Sequence, residues 1–220
     1  MTALDANPDD TAAPEVAAAP VVGPLAGDPS ILGLGSFIVG SIALGLGLVG
    51  VVPVGVLGAP LAIILSATAL GLLLAAIWAA AVGQSAVAAV FGIFGTFWLS
   101  YGMLVLGLDH NWFAITATAV LATVKLFLVA WLIAILMLTL ATLRLPAAFT
   151  AVFALVSLAL LLLLLAFANA SPLGVPSTGL LKTAGYVVLV FAALGVYLFY
   201  DAAQAGTGGK RVPLGNPLVK

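Results

Sequence analysis

The sequence predicts an all-α polytopic membrane protein with six transmembrane helices and both termini in the cytoplasm, and three observations carry that reading. Hydrophobic residues make up 65% of the 220 and charged residues 6%, against about 45–50% and about 25% in soluble globular chains. No Lys, Arg, Asp or Glu stands between Asp28 and Asp109, a stretch several times the ~20 residues that one helical crossing needs. Glycine, proline and polar residues then cut residues 31–200 into six apolar runs. A mean hydropathy of +1.36 leaves too little polar surface to wet a soluble domain of this size.

Residues 1–27 are acidic and rich in Ala and Pro, with Asp5, Asp9, Asp10 and Glu15. They predict a disordered tail rather than a signal peptide, because no positive region precedes an apolar core. The first run, 31–52, stops at Pro53. The second covers 56–81, with Gln84 and Ser85 marking the turn after it. The third, 86–108, ends at Asp109, His110 and Asn111. The fourth is the long 112–143 stretch, interrupted by Lys125 and closed by Arg144. The fifth starts on Pro146, a favourable first-turn residue, and ends near Asn169. The sixth, 180–200, is closed by Asp201, which bounds a transmembrane domain over 28–203 and leaves 204–220 as a basic cytoplasmic tail.

Orientation follows the lysines and arginines of the loops. Arg144, Lys210, Arg211 and Lys220 fall on one side of a six-helix chain, which is therefore cytoplasmic, and Lys182 is the exception across the membrane. Small residues at Ser36/Gly40 and Ser41/Gly45 on the first helix suit close helix packing, since lipid supplies no hydrophobic drive between helices.

Chemistry is scarce. A net charge of −1 points to no nucleic acid, and the absence of cysteine removes thiolate catalysis and cysteine metal sites. His110, the sole histidine, has only Asp109 and Asn111 beside it, which makes neither a metal set nor a triad. An enzyme is not expected, and neither is a cofactor or metal. Lys125 is the one charge well inside an apolar run; it either faces an interior cavity or snorkels to the headgroups. Asn169 and the hydroxyls of Ser66, Thr68, Thr96, Ser100, Thr139 and Ser157 are candidate partners for a polar solute, although such hydroxyls commonly bond the carbonyl one turn back. Phe94, Phe97, Trp98 and Tyr101 form one face of the third helix, read as packing, as an interfacial belt or as a hydrophobic gate.

Several segments are similar to those of a known family. Asp28-Pro29-Ser30-Ile31-Leu32-Gly33-Leu34 resembles the NPAPLGL signature of the acetate uptake transporters (succinate–acetate permeases), and Phe94-Gly95-Thr96-Phe97-Trp98-Leu99-Ser100 resembles their YGxFWLT segment. Thr142-Leu143-Arg144, Ala184-Gly185-Tyr186, Ala193-Leu194-Gly195-Val196-Tyr197-Leu198 and Pro213-Leu214-Gly215 follow in the family's order, so the likeness spans residues 28–215. The resemblance implies a six-helix protomer, commonly assembled as a hexamer, with a pore in each protomer that moves acetate and sometimes succinate. A carboxylate transporter of the plasma membrane is the leading expectation, with proton coupling because a protonated weak acid passes a dry gate far more cheaply than its anion. The resemblance also implies a hydrophobic constriction, which motif matching puts at Phe37, Phe94 and Leu158, with Asp28, Pro29, Leu32, Gly33, Phe97 and Trp98 as further signature candidates; Lys125 and Asn169 join them as path candidates from the residue reading alone. Two departures stand out. Asp28 replaces the family's Asn; ionised, it repels a carboxylate but suits a helix cap ahead of Pro29. Phe94 replaces a Tyr, which makes the gate drier. The rival readings are a channel for ammonia or urea, a structural membrane protein and an intramembrane enzyme.

Overall fold

Long apolar stretches without charge satisfy their backbone in a bilayer as helices, and among its described residues the computed structural model contains six that are long and apolar enough to cross one. It describes residues 26–52 and 59–219; Pro53, Lys220 and almost all of the predicted N-terminal tail lie outside them. In chain order the spans are α1 (Ser30–Val49), α2 (Pro60–Ala81), α3 (Ser85–Asp109), α4 (Ala117–Arg144), α5 (Ala147–Ala168) and α6 (Thr178–Gly206). No strand occurs among the described residues.

The helices close into a ring. α1 packs along α6, α6 against α5, α5 against α4, and α2 against both α1 and α3. Aromatic contacts of Phe97 and Tyr101 on α3 with Phe127 and Trp131 on α4 complete the circle. Neighbours run antiparallel, so α1, α3 and α5 all begin at one end. α6 finishes there too, with Gly206 against Ile31, and the C-terminal residues return to that end. We call it the tail end and the opposite one the far end.

Small residues set the interhelical distances, as lipid-embedded packing requires. A Cβ on Gly185 of α6 would stand 2.8 Å from the Leu48 Cβ and 3.0 Å from the Val49 backbone nitrogen of α1. Gly40 lies so close to Thr68 that a Cβ there would fall 2.7 Å from the threonine Cγ2. Thr68 belongs to a π-helical stretch, Ile64–Ala69, in the middle of α2. Such stretches are rare and concentrate at functional positions.

Three boundaries differ from the sequence expectation. α4 begins at Ala117 rather than at 112, because Asn111 and Ala114 take positive φ angles of 54° and 51°. The chain therefore folds back, with the Phe113 ring against Gly107 and the Trp112 ring 5.5 Å from His110. Pro146 stands just before α5 instead of in its first turn. α6 continues past Asp201 to Gly206. Asp201 is 2% exposed and is held by the Arg211 guanidinium at 2.8 Å and the Val212 N–H at 2.8 Å. A buried carboxylate needs such partners. The tail is thereby drawn across the bundle: the Tyr197 hydroxyl donates to the Pro213 carbonyl at 2.7 Å, and the Ala148 N–H donates to Leu214 while the Leu218 N–H donates to Leu143.

Candidate functional site

At the tail end the ring of helices encloses an apolar cavity of about 200 Å³, below the about 300–1,000 Å³ usual for drug-sized ligands. Its rim is built from the beginnings of three helices. Ser30 opens α1, Ala86 lies in the first turn of α3, and Leu145 and Phe149 flank the start of α5. Helix beginnings carry partial positive charge, so the rim favours an anion although no cation lines it. The walls are Leu34, Leu72, Val87, Val90, Phe91, Val152 and Leu198. Gly33 admits this geometry, since its Cα sits against the Phe91 ring where any Cβ would collide. The Asp28 carboxylate accepts the Ser30 N–H at 2.9 Å just ahead of α1, Pro29 rather than Asp28 takes the N-cap position, and Pro29 is fully buried.

The cavity ends on a plug of phenylalanines. The rings of Phe37 and Phe94 meet edge to face at 5.3 Å. Phe94 lies 5.5 Å from Phe153, and Phe191 stacks on Phe37 at 5.7 Å. Phe37, Phe94, Phe153 and Phe191 are at most 5% exposed. The plug therefore draws one ring from each of α1, α3, α5 and α6, and such edge-to-face and tilted pairs add to the burial of the rings themselves.

Of the predicted constriction, Phe37 and Phe94 come together and Leu158 does not join them. Leu158 is 42% exposed, on the outer surface of α5. Five helical residues separate it from Phe153, which turns the two to widely different faces; Phe153 is the α5 residue that closes the plug. The aromatic face of α3 divides as well. Phe94 belongs to the plug, whereas Phe97 and Tyr101 bind α4 to the ring.

The other candidates scatter. Leu32 is 38% exposed on the outside of α1, beside a larger groove of about 510 Å³ that opens outward between α1 and α2 and reaches no plug residue. Lys125 is half-buried on the far half of α4, with no hydrogen bond or ion pair among the described residues, and it does not line the tail-end cavity. Asn169 is exposed and donates to the Leu165 carbonyl at 2.9 Å, closing the end of α5. Asp109 and His110 lie exposed at the far end, 3.6 Å apart. Among the described residues no group of three or more His, Cys, Asp or Glu gathers for a metal.

One grouping escaped the sequence reading, although Trp98 and Ser157 were each named in it singly. Ser41, Trp98 and Ser157 each follow a plug phenylalanine by four residues on α1, α3 and α5, and all three are buried. The signal was present as a repeated spacing of Phe37/Ser41, Phe94/Trp98 and Phe153/Ser157.

Comparison with known proteins gives two findings. The model of the GPR1/FUN34/yaaH family matches residues 10–208. The solved structure described as that of the bacterial acetate channel SatP superimposes with a TM-score of 0.73 at 21% identity, covering 86% of this chain and 99% of that one. Among curated proteins no sequence match is found.

Proposed function

This chain belongs to the GPR1/FUN34/yaaH family, and from that premise we propose that it carries acetate and similar small monocarboxylates across the membrane through a path inside each protomer. The observation that carries this reading is the tail-end cavity: apolar walls, a rim of three helix beginnings, and a floor of phenylalanines. The rim attracts a carboxylate, the walls accept its methyl group, and the dry plug blocks hydrated ions. Burying an ionised carboxylate is far costlier than burying its neutral acid, which favours passage of the acid together with its proton. The small cavity supports acetate ahead of succinate. Lys125 adds a cation on the far half that draws anions toward the path. The cavity and the plug are built from the helices of one protomer, and a hexamer in the plasma membrane is the assembly and location we propose for it.

Uptake of labelled acetate into proteoliposomes, with urea and ammonia as controls, tests the substrate class. Acetate uptake above protein-free vesicles is expected; urea or ammonia uptake without acetate would replace this reading by the neutral-solute channel. In the same vesicles Lys125→Met should raise the half-saturating acetate concentration several-fold, and an unchanged value would leave Lys125 as an interfacial anchor.

We place the tail end in the cytoplasm, since Arg144, Lys210 and Arg211 gather there and cytoplasmic loops are enriched in such residues. A cysteine at Asn111 in this cysteine-free chain should react with an impermeant thiol reagent added to intact cells, and one at Asn216 should not. The opposite pattern would invert the topology.

A further inference from the structure

The end of a chain frays unless something ties it down, and here residues 211–219 are tied to the bundle along their length. On α6, Asp201 follows the cavity-wall residue Leu198 by less than one helical turn. The Arg211 guanidinium reaches one oxygen of its buried carboxylate at 2.8 Å, and the Val212 N–H reaches the other at 2.8 Å. A short loop such as this one costs little chain entropy to close. Residues 212–219 then cross the tail end as a strap. The Pro213 carbonyl accepts from the Tyr197 hydroxyl at 2.7 Å. The Leu214 carbonyl accepts from the Ala148 N–H at 3.0 Å, and the N–H groups of Leu218 and Val219 reach the Leu143 carbonyl at 3.0 and 3.1 Å. Leu214 packs against the core. Gly215 has a φ of 80°, and a Cβ there would stand 3.0 Å from that of Ala147, so glycine lets the strap lie this close.

Each tie point adjoins a residue of the tail-end cavity. Tyr197 precedes Leu198, Ala148 precedes Phe149, and Leu143 stands just ahead of Leu145. The strap therefore joins the end of α6, the corner between α4 and α5, and the first turn of α5. The Ala148 N–H is one of the first-turn donors that no carbonyl within α5 can take, so Leu214 caps that helix from outside it. The same corner is held from within by Thr150, whose hydroxyl donates to the Thr142 carbonyl at 2.7 Å. The strap residues do not themselves line the cavity; they grip its rim from behind.

We propose that residues 211–219 are a clasp that sets the width of the cavity mouth, with Asp201 and Arg211 as its latch and Tyr197 as a second hold. These are positioning residues: they touch no solute and act by fixing Leu145, Phe149 and Leu198. The consequence for solute choice rests on the transport reading above, whereas the clasp itself concerns access to the cavity. The latch is lopsided. Asp201 is buried, while the Arg211 side chain is 61% exposed, so the guanidinium can return to water and the carboxylate cannot. An unlatched Asp201 is a buried charge that has lost its counter-ion, which is strongly unfavourable, and the clasp stays shut for that reason.

Thiol reactivity tests the clasp without any transport. In this cysteine-free chain, Val90→Cys on the cavity wall reports access through the mouth, and Leu126→Cys on the outside of α4 reports general loosening. Each is combined with Arg211→Gln, which opens the latch, with Arg211→Lys, which keeps a cation for Asp201, and with Tyr197→Phe, which removes the second hold and strands no buried charge. In purified protein, Arg211→Gln should speed modification of Val90→Cys by a methanethiosulfonate about tenfold, because loss of a buried pairing makes local opening easier. Tyr197→Phe should speed it several-fold, Arg211→Lys should restore the original rate, and Leu126→Cys should react alike in every background. Equal rates at Val90→Cys in all folded backgrounds would overturn the clasp, as would a gain that Leu126→Cys shares. If Arg211→Gln does not fold, Tyr197→Phe decides alone. In proteoliposomes Arg211→Gln should narrow the preference for acetate over butyrate; an unchanged preference beside faster modification would overturn the link between mouth width and solute choice. The expected reactivity pattern in a protein whose wild type moves no acetate would instead overturn the transport reading and leave the clasp standing.

Discussion

Replacing Phe94 and Phe153 together by alanine is expected to raise succinate entry into proteoliposomes by at least about tenfold, a drop of roughly 1.4 kcal/mol in the barrier. The two rings meet at 5.5 Å, and Phe94 in turn touches Phe37 at 5.3 Å, so their loss leaves Phe37 and Phe191 as the only rings of the plug. Width and dryness change together: a second carboxylate that had to be stripped of water at the plug could keep part of its shell. Acetate should lose its advantage over succinate, because its selection came from the narrowness of the plug. Stability will fall too, since each buried Phe→Ala replacement costs about 3–5 kcal/mol in soluble cores. The Phe94→Leu/Phe153→Leu pair, which retains more side-chain volume, should shift selectivity the same way with a smaller loss of folded protein. If selectivity and acetate flux stay at wild-type values while folded protein is present at equal amounts, the plug does not gate the path.

The six helices were legible because apolar length is a coarse signal that bilayer physics enforces. The antiparallel order followed from short connections, and the tail-end cluster of Arg144, Lys210 and Arg211 followed from helix count alone. What hydropathy could not separate was an apolar helix from an apolar loop. Trp112 and Phe113 read as the start of α4, yet positive φ at Asn111 and Ala114 folds them back onto α3. Asp201 read as the membrane boundary, since an unpaired carboxylate would stop a span. Its partners, Arg211 and Val212, come from a returning tail that local sequence does not announce.

The candidate site was half legible for a related reason. Phe37 and Phe94 stood in recognisable motifs on helices whose glycines distinguish a packed face. α5 carries an almost unbroken apolar run from Ala147 to Ala168, so no periodicity tells its inner face from its outer one. Leu158 and Phe153 were therefore equivalent to a sequence reading, and only the packing separates them. Trp98 was read for its ring and not for its N–H. Thr68 and Ser157 were counted among hydroxyls that commonly bond their own helix, which holds for Ser66, Thr96, Ser100 and Thr139 but not for Thr68, which has no partner among the described residues, or for Ser157, which meets Thr139 of α4.

The central claim is that solute passes through the middle of the protomer by way of the tail-end cavity, and a single introduced thiol tests it. The chain has no cysteine, so Val90→Cys, on a cavity wall of α3, would be its only reactive thiol. An adduct of a bulky methanethiosulfonate there would occupy much of the about 200 Å³ available. The comparison is Leu126→Cys, at a position 72% exposed on the outside of α4, modified to the same extent with the same reagent. Labelled acetate uptake should fall at least about tenfold on modification of Val90→Cys, as for any pore occluded at its narrow part, and remain at its starting rate in Leu126→Cys. Full-rate uptake by completely modified Val90→Cys protein, or an equal loss in Leu126→Cys, would contradict a path through the centre of the bundle.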